Sequence, residues 1–213
     1  MKVDYNVFNL GTKVVRFKLP KDFVDSINRA YDNKSNELKP HNDQLAGKIA
    51  DEKAIDEILT DEMKDSFQSL FQHYLTIVLN DEIMWEPVLS QAWINEMKSG
   101  EYNPVHWHTS VKSEIGLSSV LMLKRPDWYG IEASREEAPA NGWLEFTGGD
   151  QSVFSTSQVR VDAQVGEFYI FPYTLLHGVY SFNSTDQVRR TLSFNCVIIQ
   201  KSPQEVTQEI FQL

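Results

Sequence analysis

Cysteine is nearly absent from this chain of 213 residues, where Cys196 stands alone. A single thiol closes no intramolecular disulfide, and zinc sites built from several cysteines are excluded. Within the β-rich run 191–199 it reads as a buried structural thiol. Basic residues are also scarce: 20 Lys and Arg stand against 30 Asp and Glu, a formal net charge of −10. That balance repels phosphate backbones and anionic lipid, which argues against non-specific nucleic-acid or membrane-surface binding. No stretch approaches the roughly 18 apolar residues of a membrane-spanning helix. Residues 1–6 carry Lys2, Asp4 and Asn6 where a secretory leader needs an apolar run,. The expectation is a cytoplasmic protein without a membrane partner. Internal repeats and low-complexity tracts are missing too. The length suits one domain over 1–213, with a strand and support helices in 1–89, a β-rich core in 90–200 and a tail in 201–213. Oligomeric state is not legible.

What is present changes texture near residue 90. Residues 12–18 read as a strand, and residues 20–31 as a short helix opened by Pro20. Residues 33–48 are polar and read as a mobile connection. Phe67, Leu70, Phe71, Tyr74, Leu75, Val78 and Leu79 then make one continuous helical stripe, as expected of a helix packed on a sheet. From Ser90 onward short β-rich runs follow at 91–97, 115–123, 143–146, 159–161, 167–171, 178–182 and 191–200. Such runs with turn signals between them point to a mainly β (α+β) fold. The specific expectation is a double-stranded β-helix, a jelly-roll-like barrel, with the N-terminal helices against one sheet.

The chemistry concentrates in three places. His106-Trp107-His108 offers two imidazoles to the same side of an extended backbone, so one strand end can present both to one ion. His177 follows Phe171-Pro172, a sensible strand stop before a turn that delivers it to the barrel mouth. Neutral imidazole suits iron, zinc, copper and nickel. His106, His108 and His177 are therefore the candidate metal ligands. Glu114, Asp150 and Asp162 are rival carboxylates for the second position, although none has the tight spacing to His106 that His108 has.

Arg189-Arg190-Thr191 supplies a fixed cation, and alternation separates the two arginines. Arg189, Thr191, Ser193 and Asn195 share a polar face, while Arg190, Leu192, Phe194 and Cys196 share one that becomes apolar. The first face suits a ligand cavity, which makes Arg189 the candidate carboxylate clamp, with Thr191 and Ser193 beside it. Tyr102, Asn103 and Ser119 are further candidates for hydrogen bonds to the same ligand. Metal plus carboxylate clamp is the minimum equipment of a 2-oxoglutarate-dependent Fe(II) oxygenase.

The motifs Gly100 to His108, Gly142-Trp143-Leu144-Glu145-Phe146, Gly166 to Pro172, His177-Gly178-Val179 and Arg189 to Asn195 come in the order of that superfamily. The block, roughly residues 90–200, most resembles a prolyl-hydroxylase-like branch found in marine bacteria and their phages. The resemblance implies Fe(II), 2-oxoglutarate and O2, with ascorbate as a supporting reductant. It implies hydroxylation of a protein or peptide side chain, or of a small molecule, with release of succinate and CO2. A phage-encoded copy would work in the host cytoplasm. One departure is visible: most of the superfamily has His-x-Asp where this chain has His106-Trp107-His108.

Two other functions fit parts of the pattern. A cupin-like three-histidine metalloenzyme would not use 2-oxoglutarate, and Arg189 would then be unnecessary. A jelly-roll binding module would leave the histidines without catalytic work. Residues 124–142 form the longest gap between strands, with Trp128-Tyr129-Gly130 and Arg135, and suit a closing lid. Trp107, Trp128, Tyr129, Trp143 and Tyr173 are candidates for an aromatic substrate pocket.

Overall fold

The apolar residues sort into cores on the two faces of one large antiparallel sheet, and that division positions everything else. The computed structural model describes residues 11–42, 47–79, 84–109, 115–131, 139–153, 155–183 and 186–202. In chain order the elements are β1 (Val15–Lys18), α1 (Lys21–Lys34), β2 (Asp51–Ala54), α2 (Asp61–Leu79), β3 (Trp85–Met97), β4 (Asn103–His106) and β5 (Gly116–Lys124). They continue with β6 (Leu144–Thr147), β7 (Gln158–Val161), β8 (Glu167–Pro172), β9 (Leu176–Val179) and β10 (Arg189–Gln200). A six-stranded sheet runs β1-β8-β5-β10-β3-β2, and a four-stranded sheet runs β4-β9-β6-β7.

The helices cover one face of the large sheet. Phe67, Phe71, Tyr74 and Leu75 of α2 and Val24, Ile27 and Tyr31 of α1 pack on Ile94, Leu121, Phe168, Leu192, Phe194 and Cys196. Leu70 and Val78 join this core as partly buried residues. Helix α2 begins earlier than its stripe because Thr60 accepts the Met63 N–H at 3.2 Å and Asp61 and Glu62 occupy the first turn. The cap and the acidic turn satisfy the exposed amide end. On the sheet's other face, Val120, Met122, Tyr169 and Phe171 meet Leu144 and Phe146 of the small sheet. Period-two alternation on β10 thus sends Leu192, Phe194 and Cys196 toward the helices and leaves Thr191 and Ser193 facing the space between the sheets,.

Three elements depart from the sequence reading. Strand β3 extends back to Trp85 despite Pro87, because β2 pairs only with Trp93 to Glu96 and the earlier stretch is hydrogen-bonded on one side alone,. Strand β2 is a charged edge, Asp51-Glu52-Lys53-Ala54, and shows no apolar alternation to read. It closes part of the stretch read as a mobile connection, with Pro40 bridging Lys53. Strand β9 covers Leu176–Val179 rather than 178–182. Its position follows from pairing His177 with both His106 and Phe146.

Candidate metal centre

Between the two sheets lies a cavity lined by Trp93, Asn95 and Met97 from β3, Arg189, Thr191 and Ser193 from β10, and the three histidines. His106 ends β4, His177 lies opposite it on β9, and His108 follows two residues beyond the strand. One ring nitrogen from each of the three lies within 4.8 Å of the others, and they form the one metal-capable group among the described residues. Strand geometry was the expected reason for His108 to face inward. The structure supplies a different one, since the strand stops at His106. The His108 N–H donates to the Tyr173 carbonyl at 2.9 Å, and its ring sits between Trp93 and Tyr173, with centroids 6.1 and 6.2 Å away. Gly116 permits this, because a Cβ there would lie 2.1 Å from the Tyr173 ring.

The tautomers follow from the carbonyls. His106 Nδ1 lies 2.7 Å from the Pro104 oxygen and His177 Nδ1 lies 2.9 Å from the Leu175 oxygen. A carbonyl only accepts, so each Nδ1 carries the proton and each Nε2 presents a lone pair. The Nε2 atoms of His108 and His177 face each other at 3.2 Å. Two nitrogens on one ion at about 2.1 Å, at roughly a right angle, are about 3 Å apart. Burial pushes the His177 pKa down to about 3 and that of His108 to about 4, and lowers that of His106. All three are neutral near pH 7, as metal ligation requires. Carbonyls that fix the outer nitrogens are the usual support of ligating imidazoles. The donor set therefore fits a divalent transition metal.

Arg189 is 2% exposed. Its Nε donates to the Gly142 carbonyl at 2.9 Å, while Nη2 is buried with no hydrogen-bond partner among the described residues. Burial lowers its pKa, the expected response of a cation shut away from water without an anion,. Arg190 lies on the opposite face. It donates to Glu96 at 2.7 Å, Asn28 at 2.9 Å and Asp32 at 2.7 Å, with its guanidinium 4.5 Å from the Tyr31 ring centroid.

Of the other candidates, Thr191, Ser193 and Asn103 line the cavity, and Asn103 Oδ1 is buried without a partner among the described residues. Asn195 spends its amide on Gln91 and Ser118. Ser119 borders the cavity, yet its hydroxyl accepts the Phe194 N–H. Tyr102 is not brought to the cavity. It is 44% exposed and lines a separate outer cleft with Pro104, Val105 and Tyr180, because the register of β4 against β9 shifts between Asn103 and His106. Asp150 is exposed, Asp162 pairs with Arg125 at 3.1 Å, and Glu114 lies outside the described residues. The proposed aromatic pocket does not assemble as one surface: Trp107 and Trp128 are 59% and 57% exposed, whereas Tyr129 and Tyr173 are buried. Residues 132–138 of the expected lid, Arg135 included, also lie outside the described residues.

Sequence reading missed Asn95 and Ile49, which line the cavity. Asn95 had a signal, a lone amide between Trp93 and Met97 on one face of β3. Ile49, just past the segment read as a connection, offered no periodicity to read.

Residues 91–195 match the family described as "Putative 2OG-Fe(II) oxygenase". No curated protein sequence matches the chain. Among solved structures, a prolyl-4-hydroxylase of Pseudomonas putida is similar over 90% of this chain and 94% of its own, with a TM-score of 0.56 at 15% identity. The viral collagen prolyl hydroxylase of Paramecium Bursaria Chlorella virus-1, in complex with 2-oxoglutarate, is similar over 87% and 94%, with a TM-score of 0.55 at 14% identity. The non-heme alpha-ketoglutarate-dependent epimerase SnoN of nogalamycin biosynthesis gives 0.58 over 90% and 79%, at 12% identity. At such identities the likeness is one of fold, and the fold is the double-stranded β-helix. Among the described residues no helix is long and apolar enough to cross a membrane.

Proposed function

The chain belongs to the 2-oxoglutarate/Fe(II)-dependent oxygenases, and from that premise we propose that His106, His108 and His177 hold the iron while Arg189 clamps the distal carboxylate of 2-oxoglutarate. The observation that carries this reading is the orphaned guanidinium nitrogen of Arg189, buried in the cavity where the three imidazoles converge. A buried cation with an open donor calls for a carboxylate. Three neutral imidazoles bring no negative charge to the metal, so a dianionic co-substrate supplies the neutralisation that an aspartate provides elsewhere.

When bound, iron couples oxidative decarboxylation of 2-oxoglutarate by O2, giving succinate and CO2, to oxidation of a substrate C–H bond. The protein's part is positioning and exclusion of water. The carbonyls of Pro104 and Leu175 hold two imidazoles in the ligating tautomer. Thr191, Ser193 and Asn103 offer hydrogen bonds along the wall between the histidines and Arg189. Trp93, Met97, Val120 and Leu144 close the remainder with apolar surface, which keeps the site dry,.

Hydroxylation of a protein or peptide side chain, or of a small molecule, is the reaction we assign. It draws support from relatives of the same fold that are prolyl hydroxylases and from one that is a small-molecule epimerase. Residues 90–200 act as the catalytic core, residues 1–89 as its support and residues 201–213 as a tail, in a cytoplasmic enzyme for which ascorbate keeps iron reduced. The cupin-like alternative leaves Arg189 buried without purpose. Incubation with Fe(II), ascorbate, O2 and 1-14C-labelled 2-oxoglutarate tests the proposal. Release of labelled CO2, lost in His177→Ala, is expected. An iron-loaded parent that releases none and binds no 2-oxoglutarate would sink it.

A further inference from the structure

Glu52 and Asn95 stand directly opposite each other in the β2–β3 ladder. Residues paired in this way project from the same face of a sheet with Cβ atoms about 5 Å apart, so their side chains can meet. Asn95 lines the cavity between the sheets, and Glu52 therefore points inward behind it. Strand β2 lies outside the stretch, residues 91–195, that matches the oxygenase family.

Both side chains are buried, Glu52 at 3% and Asn95 at 8% exposed. Each has an oxygen without a hydrogen-bond partner among the described residues, Glu52 Oε1 and Asn95 Oδ1. Two acceptors cannot satisfy each other, whereas one proton on the carboxyl makes Glu52 a donor and serves both. The surroundings favour that proton. Lys53 and Asp51, which flank Glu52 on β2, project from the opposite face and pair with each other,. Glu101, held by the Ala50 and Lys98 amides, acts on Glu52 with a charge of the same sign. His41, ahead of β2, donates its backbone N–H to the Glu52 carbonyl and lays its ring on Trp93.

We propose that Glu52 is a positioning residue, which gives its carboxyl proton to Asn95 Oδ1 and so fixes the carboxamide with its donor, Nδ2, toward the dianion held in the cavity. An ionised Glu52 would act in reverse on two counts. It would draw Nδ2 to itself and leave Oδ1 facing the ligand, and it would set a negative charge behind the wall that the dianion meets. Glu52 is not among the residues lining the cavity, so it works through Asn95. The inference rests on the 2-oxoglutarate reading of that cavity.

Anaerobic calorimetric titration of the Fe(II)-loaded full chain with 2-oxoglutarate, at pH 6, 7.5 and 8.5 in buffers of low and high ionisation enthalpy, reads affinity and proton uptake together. A ligand that needs the proton binds best below the Glu52 pKa and loses affinity as pH rises through it. The parent's dissociation constant is expected to rise about tenfold from the lowest to the highest pH, with net proton uptake at the middle one. Glu52→Gln, whose amide donates at every pH, should stay within about twofold of the parent's lowest value throughout and take up no proton. Glu52→Leu, of similar bulk without a donor, should bind about tenfold more weakly even at the lowest pH. A merely structural acid would change unfolding with pH but leave parent and glutamine variant with the same binding profile and proton count, which overturns the proposal. A folded Glu52→Leu that binds like the parent also overturns it, and if the leucine variant does not fold, the glutamine variant decides. A parent that binds 2-oxoglutarate with the same affinity at all three pH values sinks this inference alone. A parent that binds none at any of them sinks the 2-oxoglutarate reading.

Discussion

Arg189 and Arg190 are consecutive in the chain yet belong to different compartments of the molecule. Arg189 reaches the Gly142 carbonyl from inside the barrel, while Arg190 crosses to Asp32 of α1 and Glu96 of β3. The two substitutions should therefore fail differently. Arg189→Ala is expected to raise the 2-oxoglutarate dissociation constant at least about tenfold, the loss of a charge-assisted hydrogen bond. Arg190→Ala should leave that constant nearly unchanged and destabilise the fold by about 2 kcal/mol, since it strands the half-buried Glu96 without its cation. Anaerobic titration of the metal-to-ligand charge-transfer band and urea unfolding measure the two effects. Equal effects on binding would mean that Arg189 is not the carboxylate clamp.

The histidines divide the same way between site and scaffold. His106→Ala, His108→Ala and His177→Ala should each abolish tight Fe(II) binding while unfolding stays cooperative. His108→Asp should be the mildest change at its position, because a carboxylate restores the commoner two-His, one-carboxylate set. Metal content after anaerobic reconstitution is the readout. Retention of iron by His108→Ala would point to a carboxylate as the second ligand.

How much of this was legible follows from what each element uses to hold itself. The α2 stripe and the β10 alternation encode packing directly, so the helix, the strand and the separation of Arg189 from Arg190 could be read from residue spacing. His106 and His177 stood out by motif and by position after Phe171-Pro172. What could not be read depends on contacts distant in sequence. The His108 ring is set by Trp93 and Tyr173 rather than by its own strand, and the charged β2 is a strand because β3 offers it an edge. The exposure of Tyr102 follows from a register shift in β4, which no local pattern announces.

Gly142→Ala makes a compound prediction. The residue has φ +69°, and the new Cβ would press into the Tyr129 ring. Backbone strain of this kind costs about 1–3 kcal/mol. Stability should fall by that amount, and 2-oxoglutarate should bind more weakly than in the parent because the seat of Arg189 moves with the loop. Unfolding midpoints and the same anaerobic titration check both halves. A variant with parental stability and affinity would show that Tyr129 tolerates displacement from this seat.

Glu52 gives the pH prediction. It lies opposite Asn95 across the β2–β3 ladder and is 3% exposed, and its Oε1 has no hydrogen-bond partner among the described residues. Burial, helped by the nearby charge of Glu101, lifts its pKa from about 4.5 to about 7. The folded state therefore binds this proton more tightly than the unfolded chain does. The stability it contributes is complete below pH 4.5 and is lost as pH rises through 7, on the order of 3 kcal/mol in all. The three cavity histidines act in the opposite sense, since their lowered pKa values make the metal-free fold weaker as pH falls below about 6.5. The parent's own curve mixes the two, so the difference from Glu52→Gln is the measurement. In urea unfolding of the metal-free protein, the glutamine variant should gain on the parent by up to about 3 kcal/mol between pH 5 and pH 8. No gain at pH 8 would mean that ionised Glu52 finds a partner the resting fold does not provide.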